Sequence, residues 1–154
     1  MAGKVEGRLK DAGVVLPTPP APAGNYVPVV VTGALAVVSG QIASKDGKVA
    51  IKGKLGADVS IEQGAEAARL CAINILAQLK AAIGDLDRVT RCVRLAGFVN
   101  CTAEFTDQPK VMNGASDLMA LAFGEAGRHA RAAVGAPSLP LGTAVEVEAL
   151  FEIE

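Results

Sequence analysis

The chain has 154 residues, of which 51% are hydrophobic and 20% are charged, and its formal net charge is −1. This length is typical of a single domain with one core, and the lack of a basic run argues against a dedicated nucleic-acid partner. The odd count of three cysteines and the single histidine argue against a disulfide framework and against a zinc or multi-histidine metal site.

Residues 1–24 are predicted to form a short helix followed by a proline-rich arm. The helix covers residues 5–12 and ends at Gly13, and four prolines between residues 17 and 22 enforce an extended path. The start of the chain lacks the apolar core of a signal peptide, and no stretch of about 18 apolar residues occurs. We therefore expect a cytoplasmic protein without a membrane partner, in which residues 25–154 form one domain.

The next segment predicts a β-hairpin. Residues 25–31 and 35–41 are rich in valine and flank a short turn that contains glycine. The second strand ends with Ser39-Gly40-Gln41, which offers a hydroxyl, a bare backbone and an amide. Because glycine lets another molecule approach the backbone closely, this end is a candidate ligand contact. An ordinary strand end explains the same pattern, and both interpretations stay open.

A polar turn at residues 45–48 leads into a predicted short strand or hairpin arm at residues 49–55. The strongest helix signal follows, because Ser60 and Gln63 form a capping box and Gly84 supplies a stop. An apolar stripe at helical spacing predicts the face that packs into the core. Its members are Ala68, Ala72, Ile75, Leu79 and Ile83.

The second half of the chain predicts a long strand and a second helix. Residues 87–100 alternate imperfectly between polar and apolar, which indicates a bulge near residues 91–93. The helix is predicted to begin at Thr106 as the cap, with Pro109 in its first turn, and to end at Gly127. Its apolar stripe consists of Met112, Ala115, Met119, Ala122 and Phe123.

The order of elements indicates the fold class. Strands, helix, strand, helix and closing strands predict an α+β domain with one mixed sheet and both helices packed on one face. The other face of such a sheet needs a cover, and the apolar composition favours self-association as that cover. Cys71 and Cys92 lie inside apolar patterns and are interpreted as core residues rather than nucleophiles.

The closing strands carry a cation and a carboxylate inside apolar segments. Arg131 lies in the first strand and Glu146 in the second. In the second strand Glu146 and Glu148 share one face, and Val145 and Val147 share the other. A surface ion pair on a solvent-exposed edge is one interpretation. The other is a site in which the guanidinium binds an anionic small molecule while the carboxylate activates a water. No phosphate-binding loop, dinucleotide fingerprint, zinc motif or nucleophile elbow occurs.

Four segments, in this order, resemble the Rid family, which is also called the YjgF family. Gly24-Asn25-Tyr26-Val27 is similar to its N-terminal Gly-Pro-Tyr, and Val38-Ser39-Gly40-Gln41-Ile42 to its Ser-Gly-Gln-Ile. The remaining two are Val111-Met112-Asn113, similar to a Val-Asn on its second helix, and a C-terminal signature of Ala130-Arg131, Leu139-Pro140 and residues 145–149. The resemblance covers about residues 20–154.

This resemblance implies a fold, an assembly and a reaction. The fold would be the chorismate-mutase-like fold of the Bacillus type, in a homotrimer whose sheets form a central barrel with three clefts between subunits. The family reaction is hydrolysis of 2-imino or 2-enamino acids, such as 2-aminoacrylate, to 2-keto acids and ammonia without a cofactor or metal. Arg131 would bind the substrate carboxylate and Glu146 would position or activate the water. The pocket would be lined by Tyr26, Ser39, Gly40 and Asn113.

Departures from the family pattern leave the substrate open. Ala133 stands where many members carry a cysteine, and His129 stands where a proline is usual. His129 is therefore a further candidate proton donor at the cleft. Two other functions are alternatives: a trimer that binds small carboxylates for regulation without turnover, and a ribonuclease. The ribonuclease is the weaker of the two, because the chain has neither a basic stripe nor a pair of histidines.

Overall fold

Seven strands and three α-helices occur within residues 3–154, the part of the chain that the computed structural model describes. None of these helices is long and apolar enough to cross a membrane. The helices are α1 (Lys4–Asp11), α2 (Ile61–Ile83) and α3 (Gln108–Phe123). The strands are β1 (Val29–Thr32), β2 (Leu35–Ile42), β3 (Ser44–Lys45), β4 (Lys48–Val49), β5 (Val89–Asn100), β6 (Ala130–Ala136) and β7 (Val145–Ile153).

Five of the strands form one mixed sheet in the order β1-β2-β7-β5-β6. Strands β5 and β6 are parallel, because α3 carries the chain back along the sheet between them, and all other neighbours in the sheet are antiparallel. Strands β3 and β4 form a separate two-stranded hairpin around the predicted turn at residues 45–48. The predicted α+β class with a mixed sheet is confirmed.

Helices α2 and α3 pack side by side on one face of the sheet, as predicted. The capping box is present: the Ser60 hydroxyl accepts from the Gln63 backbone N–H at 3.1 Å, and the Gln63 side chain accepts from the Ser60 N–H at 2.9 Å. A Cβ on Gly114 would collide with the backbone of Ala65, so the glycine allows the two helices to approach backbone to backbone. All ten residues of the two predicted stripes are buried.

Helix α1 is tied to the domain by a carboxylate that lies far from it in sequence. The backbone N–H groups of Lys4 and Val5 donate to the two Asp87 oxygens at 2.8 and 2.9 Å. The two bonds hold the pKa of Asp87 below its usual value, and the bond from Val5 contributes more than the bond from Lys4. The cap sets the helix so that Val5 and Leu9 are buried in the common core. The arm that follows is held by Gln78, whose amide donates to the Pro20 carbonyl at 2.6 Å.

The β1-β2 hairpin and the irregularity in β5 are both confirmed. The register between β5 and β7 shifts between Cys92 and Arg94, inside the predicted bulge. Strand β1 begins at Val29 rather than at residue 25. The reason is Pro28, which has no N–H to donate to a neighbouring strand.

The strand or hairpin arm predicted at residues 49–55 is wrong beyond its first residue. Strand β4 ends at Val49, and farther along only isolated bridges form, at Lys52 and Leu55. The Asp58 carboxylate accepts the backbone N–H of Lys54 at 2.7 Å, which closes a tight loop in place of an extended strand.

Both ends of α3 differ from the prediction. The cap is Asp107 and not Thr106, because the Asp107 carbonyl already accepts the N–H groups of the first turn. The helix ends at Phe123, since Gly124 takes a left-handed φ of 60° that breaks the α-helical ladder. Gly127 instead ends a short 3-10 turn that follows.

Replacing Asp87 with Ala is expected to loosen α1. The variant loses two charge-assisted cap bonds, which contribute about 0.5–1 kcal/mol in a solvent-exposed site. Because folding lowers the pKa of Asp87, its contribution is present at neutral pH and is lost as pH falls through the lowered folded value.

Urea unfolding at about pH 7 and about pH 3 measures this difference. The gap between wild type and variant should be largest at pH 7 and narrow at pH 3. Asp11→Ala, at the other end of α1, is the matched control and should cost nothing. An equal difference in unfolding free energy between wild type and variant at both pH values would contradict capping of α1 by the ionised Asp87 carboxylate.

Candidate functional site

Arg131 is held against α3 by three hydrogen bonds. It lies on the edge strand β6 and points to the helix side of the sheet, where Nη1 donates to Asn113 Oδ1 at 2.9 Å and to Ser116 Oγ at 3.1 Å. Nη2 donates to the Pro109 carbonyl at 3.3 Å. A guanidinium has five N–H donors, so the Nε–H and one Nη2–H are left over from these bonds. Arg131 and Asn113, predicted to share a site, do lie together.

A serine and the histidine extend this network behind Arg131. His129 Nδ1 lies 2.7 Å from the Gly127 carbonyl, which can only accept, so Nδ1 carries the proton. In the neutral imidazole, His129 Nε2 then accepts from Ser116 Oγ at 2.9 Å, and the same hydroxyl accepts from Arg131. The hydroxyl is thus oriented by His129 and presents a lone pair to the guanidinium. The role of Ser116 was missed from sequence, although its spacing from Asn113 places both on one helix face.

Glu146 occupies the opposite face of the sheet, at the start of β7. Burial, and secondarily the charge of Glu148, raises the pKa of the Glu146 carboxyl. The side chain lies against Gly40: a Cβ there would come within 3.1 Å of the Glu146 carboxyl carbon and would collide with Oε1. Gly40 lies in a bulge of β2, where the pairing with β7 shifts between Val38 and Gln41. Glycine at this position therefore leaves the room that the carboxylate occupies.

A cavity of about 540 Å³ opens beside Glu146. Tyr26 and Gly40 line it with Glu146, so these three predicted site residues lie together. The cavity is closed on one side by residues 20–23 of the proline-rich arm. Ser39 instead donates from its hydroxyl to the Val27 carbonyl at 2.8 Å, which fastens the chain just ahead of β1 to β2.

The two groups of residues are separate within one chain. We call Arg131, Asn113 and Ser116 the Arg131 half-site, and Tyr26, Gly40 and Glu146 the Glu146 half-site. Leu95 of β5 pairs with Arg131 on one side and with Ala149 on the other, and Ala149 is three residues beyond Glu146. Strand geometry then places the Arg131 and Glu146 backbones about 14 Å apart. None of the ion pairs found within residues 3–154 includes either side chain, so the interpretation of Arg131 and Glu146 as a surface ion pair is wrong.

The cysteines lie in the core and not at either half-site. Cys71 and Cys92 are fully buried, as interpreted from sequence. Burial raises the pKa of the Cys71 thiol well above its usual value and that of Cys92 to about 12, so neither forms a thiolate nucleophile near neutral pH. Within residues 3–154, no group of three or more His, Cys, Asp or Glu side chains is placed to hold a metal ion.

Comparison with known proteins gives close matches along nearly the whole chain. A family model described as "YjgF/chorismate_mutase-like, putative endoribonuclease" matches residues 6–153. Protein TCP17 of Trypanosoma cruzi is 49% identical over 153 residues, which cover 99% of this chain and 96% of that protein.

Two solved structures are also similar. Atu1372 of Agrobacterium tumefaciens, a protein of unknown function, is 50% identical with a TM-score of 0.92 over 97% of this chain and 92% of that one. A "putative endoribonuclease" of Shewanella oneidensis MR-1 is 40% identical, and its TM-score is 0.95 over 98% of this chain and 100% of that chain.

Replacing Glu146 with Gln is expected to raise the melting temperature by a few degrees at neutral pH. Because folding raises the pKa of this carboxyl, the ionised wild type loses stability as pH rises from the ordinary Glu value of about 4.3 through the raised folded value. A neutral amide does not titrate, so the gap between variant and wild type opens across this window and closes below it.

Calorimetry between about pH 4 and pH 8 checks this sign. Glu104→Gln, at an exposed loop position, is the matched control and should show no such gap. A gap that does not change with pH, or one that the control shares, would count against a perturbed Glu146.

Proposed function

The chain belongs to the YjgF/chorismate mutase-like (Rid) family, and from that premise we propose that it hydrolyses 2-imino and 2-enamino acids to 2-keto acids and ammonia. The proposed sites are clefts between the subunits of a homotrimer. The observation that carries the proposal is the Arg131 half-site, where a guanidinium is fixed by neutral acceptors and keeps two donors for an anion.

Such a guanidinium suits a carboxylate. Two parallel N–H donors match the two carboxylate oxygens, and charge-assisted bonds of this kind are about twice as strong as neutral ones. Asn113, Ser116 and the Pro109 carbonyl fix the side chain before a ligand arrives, so little rotamer entropy remains to be lost on binding. The half-site therefore supports recognition of a small carboxylate-bearing imine or keto acid.

Glu146 supplies the proton transfers that hydrolysis requires. Water adds to the imine carbon while the C=N π electrons move to nitrogen, which takes a proton; the C–N bond then breaks, ammonia leaves and the C=O bond forms. A carboxyl with a raised pKa binds a proton more tightly than an ordinary one, so it can accept the proton from water and return it to the leaving nitrogen. The carbon keeps its oxidation state throughout, so the reaction needs no redox partner.

The separation of the half-sites supports a shared cleft. Arg131 lies at the β6 edge, and Glu146 lies two strands away on the opposite face, so one chain cannot direct both at the same small substrate. Several apolar side chains on the Glu146 face are exposed in the single chain: Val30 at 49%, Leu35 at 39%, Val37 at 44% and Val134 at 48%. A cyclic, head-to-tail contact would cover these residues and bring the edge of one copy to the cavity of the next.

We expect wild-type protein to release 2-keto acid faster than the spontaneous rate from imines made in situ by an amino-acid oxidase. Arg131→Ala should lower kcat/KM by about 100-fold or more, because it removes two charge-assisted bonds to the carboxylate. Arg128→Ala removes a nearby exposed guanidinium and is the matched control, with wild-type turnover expected.

If 2-keto acid were released only at the spontaneous rate for every imine tested, the proposed hydrolase activity would be contradicted. If 2-keto acids nevertheless raised the melting temperature of wild type and not of Arg131→Ala, the chain would be a carboxylate-binding trimer without turnover.

A further inference from the structure

The proline-rich arm builds an apolar pocket that the chemistry of deamination does not itself require. We propose that this pocket receives the substrate side chain, and that the preferred substrates are 2-imino acids with a branched or aromatic apolar side chain. The inference rests on the proposed function, because it names the substrate class of the same site.

The size of the cavity is the first support. Its volume of about 540 Å³ lies within the range of pockets that enclose drug-sized ligands. The carboxylate and the imine are expected to lie at Arg131 of a neighbouring copy and at Glu146. A three-carbon imino acid would leave most of the remaining space empty, whereas a leucine- or phenylalanine-derived side chain would extend into it.

The lining of the cavity is the second support. Pro20, Pro22, Ile42 and Leu141 contribute apolar surface, and Glu146 lies at the same cavity. Binding an apolar side chain against such walls removes apolar surface from water, which is favourable in proportion to the area buried. Gln41, Ser44, Lys48 and Gln78 also line the cavity, but a polar side chain packed against the apolar walls would lose hydration that those walls cannot replace.

The wall formed by the arm is fastened in place. Gln78 is 4% exposed on α2, and its amide donates to the Pro20 carbonyl at 2.6 Å. Proline restricts the backbone on its own, so the arm loses little further freedom when a ligand binds. Because the buried Gln78 amide binds the backbone of the arm, this wall of the cavity is formed before a ligand arrives.

Leu141 is the third support, because two independent features of it need an explanation. It is one of the two non-glycine residues within residues 3–154 with a positive φ, at 56°, a conformation that costs energy for a leucine. It is also 71% exposed while lining the cavity. A strained backbone thus holds a large apolar side chain exposed at the cavity, where the apolar side chain of a ligand can pack against it.

The test compares imines derived from alanine, leucine and phenylalanine, with oxidase adjusted to generate each at the same rate. Wild type should show kcat/KM at least about 10-fold higher for the leucine- or phenylalanine-derived imine than for the alanine-derived one. Leu141→Asn should narrow this ratio to about threefold or less, since Asn tolerates a positive φ and removes the apolar surface. Val15→Ser, at a residue 85% exposed outside the cavity, is the control and should leave the ratio at its wild-type value.

A binding measurement separates failure of the pocket from failure of the enzyme. At equal concentration, 4-methyl-2-oxopentanoate should raise the melting temperature of wild type more than pyruvate does, and Leu141→Asn should reduce that difference. Turnover with equal or greater preference for the alanine-derived imine would overturn the pocket and leave the proposed function standing. Without turnover, a larger shift with 4-methyl-2-oxopentanoate would support the pocket alone, and equal shifts or none would overturn it.

Discussion

The parallel pairing of β6 with β5 is the constraint on which the candidate site depends. Parallel pairing requires a crossover, and α3 is that crossover. Arg131, the β6 residue that pairs with Leu95, therefore faces a helix that carries Asn113 and Ser116. The antiparallel strand β7 lies on the other side of β5, and its alternation directs Glu146 to the uncovered face. Sheet topology therefore fixes the cation and the carboxylate at separate places.

This separation has an electrostatic consequence. An adjacent guanidinium would lower the pKa of Glu146 and would occupy the donors that Arg131 offers to a ligand. Instead, Arg131 is held by neutral acceptors, which leave its charge available, and Glu146 lies partly buried beside another carboxylate, which raises its pKa. Under the proposed function, each group meets a partner from outside its own chain. A substrate carboxylate and a neighbouring copy would supply both.

Local signals in the sequence predicted much of the secondary structure. The capping box at Ser60 involves residues three apart, and the stripe from Ala68 to Ile83 needs only helical periodicity, so both could be read without knowledge of the fold. The loop that Asp58 closes was misread as a strand, because its side-chain bond to the Lys54 backbone competes with extended structure.

The site was less accessible from sequence, because it depends on contacts between distant parts of the chain. Asn113 and Arg131 could be grouped through the family resemblance, but Ser116 is assigned by its two hydrogen bonds to residues of the following segment. Likewise, alternation put Glu146 on one face of β7, whereas its distance from Arg131 followed only from the strand order. Long-range pairing register leaves no short-range sequence signal.

Subunit mixing tests most directly whether the site is shared between copies. Arg131→Ala and Glu146→Gln subunits, each expected to lose most turnover when assembled alone, would be co-refolded in equal amounts and checked as trimers by light scattering. In randomly mixed rings, about a quarter of the clefts combine an intact Arg131 from one subunit with an intact Glu146 from its neighbour, so about a quarter of wild-type turnover should return. A mixture no more active than the separate variants, or a particle with the mass of a monomer, would contradict the shared cleft.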